Sequence, residues 1–278
     1  MDIYDELIRL RKLGQKSAIA TIVQVRGSIP SHESAKLLVR EDGSMLGTIG
    51  GGCVEAEVWN AAREVIATER ARHMSFNLGQ DAAYDNGLIC GGQLDVFVEA
   101  VVPPPRAYIF GAGHISKSLS TVITMAGFSA SIVDNRETFA NRDRFPEATE
   151  IFAQEYEEVF PQLAINDTSY LVIVTRGHRD DMRVLRWAVS TPARYIAMIG
   201  SKRKVINVIK ELEKEDIPRS AFDRVFAPMG FEIGAISPEE IAISVAAEMI
   251  AARRAPDGQW RSLSKSVFAD EHLRALLK

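Results

Sequence analysis

Four consecutive residues carry the densest chemistry in this chain: Gly50, Gly51, Gly52 and Cys53. They stand where an extended run ends and an apolar pattern of helical period begins, at Val54, Val58, Ala61, Ala62 and Val65. Backbone N–H groups at a helix start, the positive end of its dipole and a loop without side-chain bulk together make an anion site. A thiol in that position ionises more readily than one in bulk water. Cys53 therefore reads in two ways, as an activated thiolate or as the small buried residue that an isolated cysteine commonly is. Glu55, in the first turn, either joins the same site or complements the dipole as an ordinary cap. Glycine and thiol recur together at Cys90, Gly91 and Gly92, beside a strand-like run from Gln93. Two thiols, each next to flexible backbone, can converge on one ligand. Arg26, in the turn Arg26-Gly27-Ser28-Ile29-Pro30, offers a cation to an anion and equally suits a plain surface turn.

Loops of a different kind occupy the second half. Gly111-Ala112-Gly113-His114-Ile115-Ser116 follows a strand-like run and opens a helix-like one, the context that a dinucleotide fingerprint requires. Gly111 suits the tight turn, and Gly113 a close approach of backbone to a pyrophosphate. Ser116 stands where the pattern has Gly or Ala. Asp134 closes the next strand, where an acidic side chain binds a ribose hydroxyl, and Arg136 can instead meet a 2′-phosphate. This reading implies NAD(P) and an oxidoreductase; its alternative is a Rossmann-type scaffold whose loop no longer holds a dinucleotide. No tyrosine has a lysine four residues on, as a short-chain reductase requires, and His114 lies inside the phosphate loop itself. Two further loops offer cations at helix starts: Arg176 and His178 in one, Gly200, Ser201, Lys202, Arg203 and Lys204 in the other. Their plain alternative is a solvated charge run with an Asp cap. His178, Asp180 and Asp181 also make a thin metal-ligand set.

The elements that must position these loops change character midway. Helical spacing spans residues 5–13, and strand patterns span 18–25, 36–40 and 45–49, the last two joined by the Asp42-Gly43 hairpin signal. A helix follows to about Thr68, then a strand over 93–99. Pro103-Pro104-Pro105 breaks the pattern, and consecutive prolines make a stiff linker. Beyond it strands at 107–110, 130–133, 150–153, 169–174, 195–199 and near 225–226 alternate with helices at 114–126, 181–190, 201–213 and 238–253. Such alternation predicts a parallel sheet covered on both faces. The fold class is α/β: a mixed α/β domain over 1–102, the linker at 103–105, a Rossmann-like parallel-sheet domain over 106–255, and a tail over 256–278 with an amphipathic end at Leu273, Leu276 and Leu277.

Composition narrows the function. The chain has 278 residues, 46% of them hydrophobic and 25% charged, with a net charge of −4. That balance makes no electrostatic case for nucleic acid. No apolar run is long enough to span a membrane. The amino terminus lacks the basic and apolar regions of a signal peptide, and there are only 2 cysteines, so a cytoplasmic protein with reduced thiols is expected.

Taken in order, these segments resemble the XdhC/CoxI family, accessory proteins of molybdenum hydroxylases such as xanthine dehydrogenase. The resemblance rests on Gly27-Ser28-Ile29-Pro30, Ala35 to Val39, Gly47 to Glu55, and Cys90-Gly91-Gly92. In the second half it rests on Ile109 to His114, Thr175 to His178, Met198 to Lys204, and Ile233 to Ala242. It implies an XdhC/CoxI domain joined to a Rossmann-like domain. It further implies binding of the molybdenum cofactor, a molybdopterin, and its delivery after sulfuration to an apo molybdenum hydroxylase of the xanthine dehydrogenase type. The chain would then be a maturation chaperone rather than an enzyme, a homodimer, with a cysteine desulfurase as a further partner. The loops named above become cofactor-binding, and Cys53 the candidate molybdenum contact. Two departures stand out. Ser31-His32-Glu33-Ser34 replaces the arginine and glycine expected after Pro30, and Phe231-Glu232-Ile233-Gly234 only approximates Gly-Leu-Asp-Ile-Gly. Two cysteines cannot supply Cys₄ iron–sulfur sites, so the chain is not expected to be a xanthine dehydrogenase itself.

Overall fold

The computed structural model describes residues 2–27, 31–78, 92–255, 260, 263–264 and 266–267. The chain divides into two compact units, Met1–Pro103 and Pro104–Lys278, and the division falls inside the proline run.

The first unit comprises α1 (Ile3–Lys12), β1 (Ser17–Arg26), β2 (Lys36–Arg40), β3 (Met45–Gly47), α2 (Gly52–Thr68), β4 (Arg72–Asn77) and β5 (Gln93–Val101). Its strands form an antiparallel sheet of order β3-β2-β1-β5-β4. Alternate residues of β1, Ala18, Ala20 and Ile22, share a core with Leu37, Val39, Val96 and Val98, and Val58, Ala62 and Val65 of α2 cover them. Period two in the strands and period 3.6 in the helix thus bury one face of each. The hairpin closes as expected, with Asp42 Oδ1 accepting the Ser44 N–H at 2.9 Å. β3 is shorter than its strand-like run, because φ of +86° at Gly47 turns the chain out of the sheet before Thr48 and Ile49. β4 has no counterpart among the strands expected from the sequence. It is an edge strand with Phe76 as its one buried residue, and so shows no apolar alternation.

The second unit contains β6 (Arg106–Phe110), α3 (His114–Met125), β7 (Ser129–Val133), β8 (Glu150–Phe152), α4 (Tyr156–Val159), β9 (Ser169–Ile173), α5 (His178–Ala188), β10 (Tyr195–Met198), α6 (Lys202–Glu213), β11 (Val225–Phe226) and α7 (Pro238–Arg254). All strand pairs are parallel, in the order β11-β10-β9-β6-β7-β8. The central strands are buried on both faces. Ala107, Ile109, Tyr170 and Val172 face α3 and α7, while Tyr108, Phe110, Leu171 and Ile173 face α5 and α6. The strand order reverses between the neighbours β6 and β9, which opens a crevice at their carboxyl ends. α5 begins at His178, three residues ahead of the sequence expectation, and α4 is too short to show a period.

No helix among the described residues is long and apolar enough to cross a membrane. Ser28, Ile29, Pro30, Cys90, Gly91 and the tail's Leu273, Leu276 and Leu277 lie outside the described residues.

Candidate functional site

In the first unit the glycine loop takes the conformation that only glycine adopts readily. Gly50, Gly51 and Gly52 have φ of +120°, +76° and +68°. A Cβ at Gly51 or Gly52 would meet nothing within 4 Å, so that side of the loop is open space. Cys53 follows in the first turn of α2 and is exposed, which removes the core reading. Glu55 does more than complement a dipole. Its Oε2 accepts the hydroxyl of Thr48 at 2.6 Å, the N–H of Ile49 at 3.1 Å and the N–H of Gly51 at 3.3 Å. No side chain caps α2 at Gly51; the Glu55 carboxylate occupies the turn in front of it. Arg26 ends β1 and lines a separate polar hollow of about 230 Å³ with Gln24, Ser75, Asn77, Gln93 and Asp95, most of which the sequence did not single out.

In the second unit the fingerprint loop leaves β6 where expected. Gly111 has φ of +106°, and a Cβ there would come within 2.3 Å of the Val174 carbonyl oxygen. Its absence of side chain lets the loop pass over the end of β9. Gly113 has open space around it, and His114 is exposed at the start of α3. Asp134 is 2% exposed and wholly engaged within the chain. Oδ2 accepts the Ala112 N–H at 2.8 Å, and Arg136 binds both oxygens through Nε at 2.8 Å and Nη2 at 2.7 Å. Burial pushes the carboxyl up, but Arg136 and the N–H groups of Ala112 and Arg136 outweigh it and hold it below the ordinary range. Asp134 thus ties the end of β7 to the fingerprint loop, and a ribose hydroxyl would have to displace Arg136 to reach it.

The remaining two loops leave β9 and β10 at the same edge of the sheet. Thr175 donates to Asp181 Oδ1 at 2.7 Å, and the Lys204 ammonium pairs with Asp181 Oδ2, so the starts of α5 and α6 are joined. Burial pushes the Asp181 carboxyl up despite both partners. Gly200 leaves room for the Lys204 stem, whose Cδ would lie 3.0 Å from a Cβ. Ser201 caps α6 by accepting the Lys204 N–H. Arg176 and His178 are exposed, and Asp180 pairs with Arg183 at 3.1 Å. The metal set therefore does not assemble. Among the described residues no three of His, Cys, Asp and Glu could hold an ion.

Between α5 and α6 lies a groove of about 780 Å³ that His178 and Ser201 enter at one end. Arg203, Lys204, Asn207, Lys210 and Lys214 line its α6 side, and Met182 lies across from them on α5. Lys214 pairs with Glu211, whereas Arg203 and Lys210 have no acidic partner among the described residues. The groove is cationic in a chain of net negative charge. Its α6 wall has a sequence signal beyond the Gly200 to Lys204 loop, since Arg203, Lys210 and Lys214 stand at i, i+7 and i+11, a spacing that keeps them on one helix face.

Fold and loops define a two-unit α/β protein with a Rossmann domain. Residues 10–77 match the XdhC and CoxI family, and residues 107–249 match the XdhC Rossmann domain. The chain belongs to the XdhC and CoxI family. It is 32% identical over 260 residues to YqeB of Escherichia coli, an uncharacterized protein; the match takes in 93% of this chain but only 48% of that relative, so the chain spans about half its length. It is 23% identical to a probable xanthine dehydrogenase component of Bacillus subtilis, across 86% of this chain and 94% of that one. It is also 23% identical to the molybdenum cofactor insertion chaperone PaoD of Escherichia coli, across 86% and 84%. A crystal structure of a xanthine dehydrogenase from Bacillus halodurans shares the fold, with a TM-score of 0.51, 22% identity, and 92% and 96% of the two chains covered.

Proposed function

We propose that this chain is an accessory protein that binds the molybdenum cofactor and delivers it to a molybdenum hydroxylase of the xanthine dehydrogenase type. The likeness to PaoD supports an accessory role of this kind. The observation that carries the binding step is the glycine loop of the first unit, where Gly51 and Gly52 leave open space directly beside the exposed Cys53. The residues fit the group. The first-turn N–H groups of α2 lack intrahelical acceptors and suit a phosphate, while a thiolate suits molybdenum. When bound, the cofactor brings the metal and its dithiolene. The chain's own part is to hold and orient it: the loop through its N–H groups and Cys53 through its sulfur. In this reading the protein is a cytoplasmic chaperone that catalyses no turnover, and a cysteine desulfurase supplies the sulfur for the cofactor.

Purified protein mixed with molybdopterin is expected to retain molybdenum and pterin together through gel filtration. Clean separation overturns the reading. Cys53→Ser is expected to weaken retention, and an unchanged affinity removes the sulfur from the site. Titration with NAD(H) and NADP(H) is expected to give no heat, since Asp134 is already occupied by Arg136.

A further inference from the structure

The groove between α5 and α6 is apolar at its floor and cationic along its rim. It follows α6 from Ser201 to Lys214, about 20 Å at about 1.5 Å per residue. Val208, which is buried, and the half-buried Met182 of α5 form the floor. Arg203, Lys210 and Lys214 stand exposed along the rim, within about 20° of a single line on the helix. Among the described residues Glu211 is the one carboxylate lining the groove, and it pairs with Lys214 at 2.7 Å.

A row of cations on a helix can be a plain solvated face, but two features set this one apart. The row borders a concavity with an apolar floor rather than open water. The first turn of α6 also carries Lys202, Arg203 and Lys204 and no acid, an arrangement that the helix dipole disfavours. Lys204 is accounted for, since its ammonium pairs with the buried Asp181. Arg203 and Lys210 are not; neither has an acidic partner among the described residues.

Charge and shape together choose between anions. A phosphate group calls for cations that converge on one point, whereas Arg203 and Lys210 are set about 10 Å apart along the helix axis. A nucleic-acid strand calls for aromatic stacking surfaces, and among the described residues no Phe, Tyr or Trp lines the groove. An extended peptide of about six residues spans the groove's length. It offers carboxylates to the rim and an apolar side chain to the floor, where the flexible Met182 adapts to it.

We propose that the α5–α6 groove docks an acidic peptide segment of a partner protein. Its carboxylates pair with Arg203 and Lys210, and an apolar side chain between them seats on Met182 and Val208. The docking does not depend on the cofactor reading.

Fluorescence anisotropy of the full chain with a labelled peptide of about six residues, Asp and Leu alternating, tests this. The peptide is expected to bind, and to bind more weakly as salt rises. Arg203→Glu with Lys210→Glu is expected to weaken binding roughly tenfold, with circular dichroism unchanged. The same variant is expected to bind a peptide with Lys in place of Asp more tightly than the wild type does, a gain that misfolding cannot give. Met182→Ser, or Ser in place of Leu in the peptide, is expected to weaken binding about threefold through the lost apolar contact. No binding at about 1 mM peptide overturns the proposal. So does an affinity indifferent to the paired substitution, to the exchange of signs, or to loss of the apolar contact. Displacement of the labelled peptide by tripolyphosphate or an oligothymidylate at lower concentration than by unlabelled peptide also overturns it, and assigns the groove to phosphate.

Discussion

The carboxylate of Glu55 turns back over the start of its own helix and accepts the N–H of Gly51 at 3.3 Å. The loop that the glycines mark as an anion site thus already holds an anion, supplied by the chain. An incoming phosphate must compete for the N–H groups of Ile49 and Gly51 and also meets a like charge. Glu55→Gln keeps the size and removes that charge. Its affinity for molybdopterin, by titration calorimetry, is expected to rise about fivefold, which corresponds to about 1 kcal/mol of repulsion. Thermal stability is expected to fall by about 0.5–1 kcal/mol, because the helix start loses a favourable carboxylate. An affinity that does not move places the anion elsewhere.

Gly111 and Gly113 share a motif but not a constraint. At Gly111 a Cβ would sit 2.3 Å from the Val174 oxygen at φ of +106°. Gly111→Ala is expected to cost about 3 kcal/mol or more in urea unfolding. At Gly113 a Cβ meets nothing within 4 Å. Gly113→Ala is expected to fold with stability unchanged within about 0.5 kcal/mol. Any loss of ligand binding in that variant then reports a ligand lying against the loop, whereas equal damage from both substitutions would mean that the motif is purely structural.

Asp134 supports folding through Arg136, and its sign with pH is fixed. Its carboxyl is held below the ordinary range in the folded protein. The stabilisation is therefore present above the unfolded value near pH 4 and is lost as pH falls through the folded value. Asp134→Asn is expected to lower stability by about 2 kcal/mol at pH 7. Urea midpoints measured from pH 7 to pH 3 should converge for the two proteins at the acid end. A gap that persists at pH 3 would assign the effect to packing.

The parallel sheet is legible in the sequence because its central strands are buried on both faces and read as unbroken apolar runs; Tyr170 to Ile173 shows this plainly. α2 is legible because Val54, Val58 and Val65 keep helical spacing beside a core. β4 is not legible, since an edge strand with Phe76 alone buried has no alternation to detect. The glycine loops announce themselves through composition, but side-chain direction does not. A carboxylate in a first turn has the same sequence signature whether it faces water or, like Glu55, closes the loop. Asp134 looks like a ribose ligand because strand-end position is all that the sequence shows; its capture by Arg136, two residues on, depends on how the chain turns after β7. Asp181 looks like a cap and proves to be the buried link to Lys204.

Glu6 offers a separate acid test in the first unit. It is 1% exposed and holds α1 against β2. Arg9 binds both of its oxygens at 2.7 and 2.8 Å, and Arg40 Nε binds Oε1 at 2.7 Å. Hydrogen bonds from Arg9 first and Arg40 second lower its carboxyl from 4.5 to about 2, against the opposing effect of burial. A depressed carboxylate contributes above its unfolded value and loses that contribution as pH drops through the folded one. The wild-type chain is therefore expected to lose thermal stability between about pH 4.5 and pH 2 more steeply than Glu6→Gln. Arg40→Met should behave like Glu6→Gln at neutral pH, since either change leaves α1 without its link to β2. Melting curves followed by circular dichroism across that range check both statements, and parallel pH profiles for the wild type and Glu6→Gln would remove Glu6 from the acid response.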